Sequence, residues 1–381
     1  MRSLDEHHEM FRHGAIESYA KPRRAGMTSL FVGIGAVALL VAGVVALNAQ
    51  RDDNNAQPGI ASPATTIPVT TTPVTTTPVG SVETSPASQP VQLSTLSGHT
   101  AAVWSAVFSP DGTKVVTASD DRMSIIWDAA TGTVLSTLAG HIDQVASAVF
   151  SPDGTKVVTA SVDNTAIIWD TATGTTLTTL TGHTGPLNNA VFSRDGTKVV
   201  TASLDNSAII WDAATGTALT TLAGHTNSVW SAVFSPDGTK VLTASDDSTA
   251  IIWDAATGTA LTTLAGHTTF VWSAVFSPDG TKVVTASLDG TAIIWDAATG
   301  TVLSTLTGHT DSVLNAVFSP DGTKVVTASD DSTAIIWDAA TGTVLSTLTG
   351  HTDSVLNAVF SPDGTKVVTA SNDSMAIIWA L

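Results

Sequence analysis

The chain has 381 residues, a formal net charge of −18 at pH 7 and no cysteine. Disulfides and thiolate metal sites are therefore excluded. Residues 91–381 hold most of the negative charge, with 26 aspartates and no glutamate against nine lysines and arginines. Because an acidic field repels phosphate groups, we expect no nucleic acid among the partners.

The first 49 residues predict a membrane anchor. Residues 27–49 contain no charged side chain, and a helix of these 23 residues would be about 34 Å long, enough to cross a bilayer. Lys21, Arg23 and Arg24 precede this segment. Since positive residues stay on the cytoplasmic side, we expect residues 1–26 to form a cytoplasmic tail and residues 27–49 a single transmembrane signal-anchor helix. The rest of the chain would then lie outside the cytoplasm, at the cell membrane.

Two other interpretations of residues 27–49 are weaker. A cleaved secretory signal has a shorter apolar core, roughly 7–15 residues, followed by small residues at the cleavage site. Here Leu47 lies where a small residue is needed before Ala49. A buried core helix is disfavoured because the neighbouring polar segments offer nothing to pack against. The uncleaved anchor is the interpretation that we favour.

Residues 50–89 are rich in Thr, Pro, Ser and Val. This composition cannot bury enough apolar surface to fold, and its prolines favour an extended conformation. We expect a disordered linker that acts as a stalk of up to ~120 Å. A plain spacer is the simpler interpretation, although the threonines would also permit O-glycosylation.

From residue 90 onwards the chain repeats with a period of 42 residues. A Gly-His pair, an Asp and a Trp recur seven times each, always in phase. Each unit contains four short segments rich in β-formers, separated by turns such as Pro320-Asp321-Gly322. Four short strands with tight turns predict an antiparallel meander, and a fixed period in this range indicates a repeat architecture.

The two ends of the repeat region predict a closed ring. The last unit stops at Trp379-Ala380-Leu381 and has no fourth strand, whereas residues 91–96 supply a spare one. This spare strand can complete the last unit and join the two ends. We therefore expect residues 90–381 to be an all-β, seven-bladed propeller, because a linear solenoid would show divergent capping units.

The Gly-His and Trp-Asp units resemble the WD-repeat family, over about 290 residues and in all seven units. The last unit departs only at Ala380, where Asp is expected after the Trp. Their near identity is similar to that of bacterial-type repeats. The resemblance implies a non-enzymatic interaction scaffold without a cofactor. It also implies a buried network in each unit, for example His309, Ser329 (or Thr327), Asp331 and Trp337. The His, Asp and Trp of this network are His99, Asp121, Trp127, His141, Asp163, Trp169, His183, Asp205, Trp211, His225, Asp247, Trp253, His267, Asp289, Trp295, His309, Asp331, Trp337, His351, Asp373 and Trp379.

Two chemical alternatives to this structural network are disfavoured. A hydrolytic triad needs an accessible nucleophile and an oxyanion site. The His, Ser and Asp set instead occurs seven times, once in the interior of each blade, which suggests a hydrogen-bonded scaffold. Histidines 42 residues apart lie on separate blades and cannot share a metal ion. Asp-Asp pairs such as Asp120-Asp121 could bind calcium, but they lack the spaced oxygen ligands of a known calcium loop.

The units disagree with one another mainly at one rim. The opposite rim is nearly monotonous, with Arg194 replacing Pro once in the Ser-Pro-Asp-Gly-Thr-Lys turn. Drift between duplicates is one explanation. The alternative is a surface that binds a protein or peptide, since aromatic side chains at rims are typical binding hot spots. A carbohydrate or cell-envelope component is the second candidate partner. The candidate binding residues are Trp104, Trp230, Trp272, Phe270, Asp120, Asp246 and Asp330.

Overall fold

The computed structural model describes residues 90–381, which form seven four-stranded antiparallel sheets and no helix. The innermost strands contact one another in a closed circle, which confirms the predicted seven-bladed propeller. In blades 1 to 6 the strands run in chain order from the axis outwards, and in blade 7 the outer strand is β1. The strands are β1 (Val91–Ser97); in blade 1, β2 (Val103–Phe108), β3 (Lys114–Ser119), β4 (Met123–Asp128) and β5 (Val134–Ala139); in blade 2, β6 (Val145–Phe150), β7 (Lys156–Ser161), β8 (Thr165–Asp170) and β9 (Thr176–Thr181); in blade 3, β10 (Leu187–Phe192), β11 (Lys198–Ser203), β12 (Ser207–Asp212) and β13 (Ala218–Ala223); in blade 4, β14 (Val229–Phe234), β15 (Lys240–Ser245), β16 (Thr249–Asp254) and β17 (Ala260–Ala265); in blade 5, β18 (Val271–Phe276), β19 (Lys282–Ser287), β20 (Thr291–Asp296) and β21 (Val302–Thr307); in blade 6, β22 (Val313–Phe318), β23 (Lys324–Ser329), β24 (Thr333–Asp338) and β25 (Val344–Thr349); and in blade 7, β26 (Val355–Phe360), β27 (Lys366–Ser371) and β28 (Met375–Ala380).

Strand β1 is the fourth strand of blade 7, as the sequence predicted. It pairs antiparallel with β28, with Val91 opposite Ala380 and Ser97 opposite Met375. Leu96 of β1 is 1% exposed, like its counterparts in the other outer strands. The first described strand therefore closes the ring onto the last.

The core lies between neighbouring blades. Between blades 3 and 4, for example, Ile210 and Leu222 pack against Val229, Val241 and Trp253. Each blade has an apolar side chain on both faces, so a single blade could not cover its own surface. Packing the blades face to face removes both faces from water, which is the main stabilising term of the fold.

Hydrogen bonds between innermost strands add a polar ring around the axis. The Oδ1 atom of Asn357 in blade 7 accepts a bond of 3.3 Å from the backbone N–H of Ala106 in blade 1. The hydroxyl of Ser105 accepts one of 3.2 Å from the N–H of Ala148 in blade 2. Neighbouring blades are thus joined by directional contacts as well as by apolar packing.

Each blade contains the predicted buried network, and Thr rather than Ser is its centre. In blade 6 the Oγ1 atom of Thr327 lies 2.7 Å from Nε2 of His309 and accepts a hydrogen bond of 2.8 Å from Nε1 of Trp337. The Nδ1 atom of His309 lies 2.8 Å from Oδ2 of Asp331. Ser329 instead bonds backbone groups, at Asp331 N and the carbonyl oxygen of residue 311.

One arrangement of protons satisfies this network. A carboxylate only accepts hydrogen bonds, so the Nδ1–H of His309 donates to Asp331. Its Nε2 then accepts from the Thr327 hydroxyl, which itself accepts from the indole N–H of Trp337. The Gly of the Gly-His pair is explained by the same packing, because a Cβ atom at Gly308 would lie 2.9 Å from the Trp337 ring.

The predictions for residues 1–89 lie outside the described residues. They comprise the cytoplasmic tail at 1–26, the transmembrane helix at 27–49 and the linker at 50–89. Within residues 90–381, the structure contains no helix that is long and apolar enough to cross a membrane.

Ser124 provides a direct test of the core. It is 1% exposed on β4, and its hydroxyl has no hydrogen-bond partner in the described structure. The other six blades have Ala at this position. An unsatisfied buried hydroxyl costs about 1–3 kcal/mol, so Ser124→Ala should raise the free energy of unfolding by about 1 kcal/mol or more. The measurement is a urea titration, and Ala166→Ser in blade 2 should produce the opposite change. A lower urea midpoint for Ser124→Ala would contradict the prediction.

The network also predicts a loss of stability in acid. Burial raises the pKa of Asp163, but hydrogen bonds from His141 and Thr165 outweigh it and lower the pKa from 3.8 to about 2. Because the folded pKa lies below the unfolded one, the stabilisation is complete above about pH 4 and is lost as the pH falls towards 2. The difference in urea midpoint between the wild type and Asp163→Asn should therefore shrink over this range. A difference that is constant from pH 7 to the acid limit would refute this assignment.

Candidate functional site

The propeller has two rims of different character. The variable rim consists of the connections from each outer strand to the next innermost strand, together with the turns between second and third strands. In blade 6 these two segments touch, since the backbone N–H of Asp330 donates to the carbonyl of Ser312 at 3.0 Å. The uniform rim consists of the other two connections, which are joined by a bond of 2.9 Å from Ala339 N to Thr323 O.

Seven residues of the innermost strands form a bulge ring at the variable rim. In each blade the pairing register between the first and second strands shifts at this residue, as between Val103 and Ser105 in blade 1. A bulge leaves one residue unpaired and redirects its side chain. The bulge ring consists of Trp104, Ala146, Asn188, Trp230, Trp272, Leu314 and Leu356.

The order of the blades turns this ring into an apolar arc. Blades 4, 5, 6, 7 and 1 follow one another around the axis, and all five have Trp or Leu in the bulge ring. Blades 2 and 3 interrupt the arc with Ala146 and Asn188. Most of the arc is buried, since Trp230, Leu314 and Leu356 are 6–8% exposed, and Trp104 and Trp272 are half-buried. One side of the variable rim is therefore apolar and the other is not.

Trp230 and Trp272 meet across the junction of blades 4 and 5. Their ring centroids are 3.9 Å apart, and the ring planes are inclined by 16°, so the two indoles are stacked. Phe270 lies half-buried in the connection that enters blade 5, two residues before Trp272. The sequence placed these three aromatic residues on one rim, and the structure brings two of them into direct contact.

Two of the predicted acidic residues orient tryptophans. The indole Nε1 of Trp104 donates to Oδ1 of Asp120, and that of Trp230 donates to Oδ1 of Asp246. Asp246 is 5% exposed. It therefore positions Trp230 and presents little of its own surface to a partner, which differs from the role that the sequence predicted. In blade 5, Leu288 occupies the equivalent position beside Trp272.

Negative charge is crowded at the junction of blades 1 and 2. Burial raises the pKa of Asp120 above its ordinary value. The hydrogen bond from Trp104 offsets part of this rise, and the charges of Asp121 and Asp143 add to it. A cation at this junction would relieve the repulsion between these carboxylates.

The junction of blades 6 and 7 has the same character. Burial raises the pKa of Asp330, and the charges of Asp311 and Asp353 raise it further. Hydrogen bonds from Ser354 and Ser312 oppose the rise. Asp330 thus lies between two blades. One acidic junction lies at the blade 1 end of the apolar arc, and the other lies within the arc, between the blades of Leu314 and Leu356.

Sequence reasoning missed three members of the bulge ring. Leu314 and Leu356 continue the arc from Trp272 to Trp104, which becomes evident only when the blades are placed in a circle. Asn188 is 9% exposed, and its Nδ2 donates to the carbonyl of Val229 at 3.2 Å, which fixes the backbone next to Trp230. Its Oδ1 has no hydrogen-bond partner among residues 90–381. The sequence does contain a signal for these three residues, because all of them occupy the bulge position, at which the units differ.

The described residues offer no metal centre. No group of three or more His, Cys, Asp or Glu side chains within residues 90–381 could hold a metal ion. In the Asp-Asp pairs, the second carboxylate is already bonded to a network histidine, as Asp247 is to His225 at 2.8 Å. The His, Thr and Asp of each blade are buried parts of the scaffold.

Comparison with known proteins supports this description. The family model described as WD domain, G-beta repeat matches residues 90–128, 132–170, 174–212, 216–254, 258–296, 300–338 and 342–380. Each match contains the outer strand of one blade and the three inner strands of the next. No curated protein matches the chain at a significant level. WD-repeat propellers are typically non-catalytic scaffolds that bind proteins or peptides. The chain belongs to the WD-repeat family, and its seven repeats build one seven-bladed propeller.

Proposed function

We propose that this protein is a membrane-anchored scaffold, of bacterial type, whose extracytoplasmic propeller binds a protein or peptide at the variable rim. The bulge ring is the observation that carries the proposal. The units differ mainly at the variable rim, where the bulge position changes between Trp, Leu, Asn and Ala and forms an apolar arc over five consecutive blades. Apolar and aromatic residues around a concave opening are typical anchors for a partner.

The location of the propeller is inferred from the N-terminal sequence. Residues 27–49 are uncharged and long enough for a bilayer, and positive residues precede them. Residues 50–89 provide a spacer between this segment and the propeller. The partner would therefore be met outside the cytoplasm, at a distance from the membrane surface.

The charge of the rim favours a basic partner. Residues 91–381 carry 26 aspartates against nine basic residues. Acidic junctions lie at Asp120, at one end of the apolar arc, and at Asp330, within the arc. A peptide with basic and apolar residues would match both features, whereas nucleic acid would be repelled.

A peptide fits the stacked tryptophans better than a carbohydrate does. Sugar rings pack against an open aromatic face. In this structure one face of Trp230 is covered by Trp272, and Trp230 is 8% exposed. The aromatic edges and the neighbouring leucines suit apolar side chains, so protein or peptide binding is the function that we propose.

The proposal predicts that the tryptophans determine affinity. Trp230→Leu combined with Trp272→Leu should weaken binding of the partner at least tenfold, because buried aromatic anchors typically contribute about 2 kcal/mol or more. Leu is chosen because blades 6 and 7 already have it at this position. The measurement is the dissociation constant of whatever protein the full-length chain retains in a pull-down.

Leu345→Thr is the matched control. Leu345 is 48% exposed on the outer strand of blade 6, away from the bulge ring. Its replacement should leave the affinity unchanged. If the tryptophan double variant binds as tightly as the wild type, the variable rim is not the binding surface.

The proposed topology has its own test. Protease added to intact cells should cleave within residues 50–89 and release the propeller, since the linker offers exposed, unstructured peptide bonds. The product is detected with an antibody against the propeller. Cleavage only after the cells are lysed would place the propeller in the cytoplasm.

A further inference from the structure

On the uniform rim, the turn between the first and second strands departs from its common sequence in one blade. The turn between the first and second strands reads Ser-Pro-Asp-Gly-Thr-Lys in six blades, whereas blade 3 has Arg194 in place of Pro. Arg194 and Arg122 are the only arginines of residues 90–381, and Arg122 belongs to the variable rim. An additional cation, at a position where the other six blades have Pro, therefore interrupts an otherwise uniform turn.

In the other blades this proline lies close to the glycine of the equivalent turn in the next blade. A Cβ atom at Gly280 would lie 3.5 Å from the Cδ atom of Pro236, and one at Gly112 would lie 3.8 Å from that of Pro362. Gly238 faces the turn that contains Arg194, and nothing lies within 4 Å of its Cβ position. The ring of Pro–Gly contacts is therefore open between blades 3 and 4.

The opening uncovers the end of an innermost strand. The phenylalanine that ends the innermost strand is 5–6% exposed in six blades, but Phe234 of blade 4 is only half-buried. Pro236, in contrast, is more buried than the other five prolines of these turns. Arg194 thus lies against blade 4, beside an accessible phenyl ring.

Two cavities meet at Arg194. One of about 230 Å³ lies at the end of the central channel, among Phe192, Phe234, Phe276 and Phe318. The other, of about 870 Å³, extends from Arg194 past Pro236 and Phe276 to Leu261 and Thr262 of the outer strand. The second cavity therefore crosses blade 4 from the axis to the periphery.

Both positively and negatively charged side chains line this groove. Within residues 90–381, Arg194 makes no ion pair or hydrogen bond. The groove is also lined by one further cation, Lys240, and by three carboxylates, Asp237, Asp279 and Asp296. A hydrogen bond from Ser277 is the main cause that lowers the pKa of Asp279 to about 2. A hydrogen bond from Ser235 lowers the pKa of Asp237 in the same way. Asp279 and Asp237 therefore carry a negative charge at neutral pH.

We propose that this groove binds the C-terminal end of a peptide, with the terminal carboxylate on Arg194 and an apolar last side chain against Phe234. A guanidinium presents a planar fork of N–H donors that matches a carboxylate in a bidentate arrangement. The accessible phenyl ring next to it supplies the apolar contact. Basic side chains upstream in the peptide would meet Asp279 and Asp296.

The dimensions of the groove select an extended peptide. Four strands spaced about 4.8 Å apart make the path from the innermost to the outer strand roughly 14 Å long. An extended chain advances about 3.3 Å per residue, so four or five residues would fill the path. A single small acid would occupy only the end at Arg194.

A carboxylate suits this surface better than a phosphate. Asp237 and Asp279 line the same groove as Arg194, and residues 91–381 are strongly acidic. A phosphate group carries about −1.5 to −2 charges at neutral pH, whereas a carboxylate carries about −1. The monoanion therefore suffers less repulsion while it retains the bidentate contact.

The test uses the full-length chain in detergent micelles and fluorescein-labelled pentapeptides with Lys at the second position and Phe, Leu or Trp at the last. Fluorescence anisotropy measures their affinity as free acids and as C-terminal amides. We expect at least one free acid to bind and its amide to bind at least tenfold more weakly. Arg194→Pro, which restores the residue of the other six blades, and Arg194→Gln should both weaken binding of the free acid at least tenfold.

Arg122→Ser is the matched control, because it removes the same side chain from the opposite rim and introduces the residue found in three other blades. It should leave the affinity unchanged, as should Trp272→Leu, which separates this site from the variable rim. The proposal is overturned if no free acid binds below about 1 mM, if the amides bind equally well, or if Arg194→Pro binds like the wild type. Binding of N-acetylphenylalanine without binding of any pentapeptide would also overturn it, because the ligand would then be a small acid.

Discussion

The buried chain of hydrogen bonds from Trp through Thr and His to Asp is the constraint on which each blade depends. It links the third strand, the second strand and both connections of the variable rim, and Thr327 in blade 6 bonds two partners at 2.7 and 2.8 Å. Each of its groups would be costly to bury alone, and together they satisfy one another. The network bonds both variable-rim connections of a blade to its second strand. The residue of the bulge ring can therefore vary while the blade stays folded.

The division between support and recognition follows from this arrangement. The Trp of each network is almost fully buried, and the Gly before each His leaves room for it. By contrast, Trp230 and Trp272 contact each other across two blades and take their orientation from their surroundings, including Asp246. The tryptophans that repeat most faithfully stabilise the fold, and those that do not repeat form the candidate binding surface.

The two rims also differ in how they accommodate change. On the variable rim the bulge residue changes among Trp, Leu, Asn and Ala, so the surface is built from several small differences. On the uniform rim Pro–Gly contacts join neighbouring blades, and one replacement, Arg194, opens the junction at Gly238. A regular repeat makes such a single departure visible, and its consequence appears in the next blade, at Phe234.

The sequence by itself determined the number of blades, the four strands of each blade and the role of β1 in closing the ring. It also identified the His, Asp and Trp of the network. These features follow from the repeat period and the turn residues, which can be read along the chain. It named Trp104, Trp230 and Phe270 but missed Leu314, Leu356 and Asn188, and left Thr327 and Ser329 undecided. Only the tertiary structure placed the bulge ring in a circle, buried Asp246 and opened the junction at Gly238. These features arise from contacts between residues on different strands or blades, whose geometry the linear pattern does not contain.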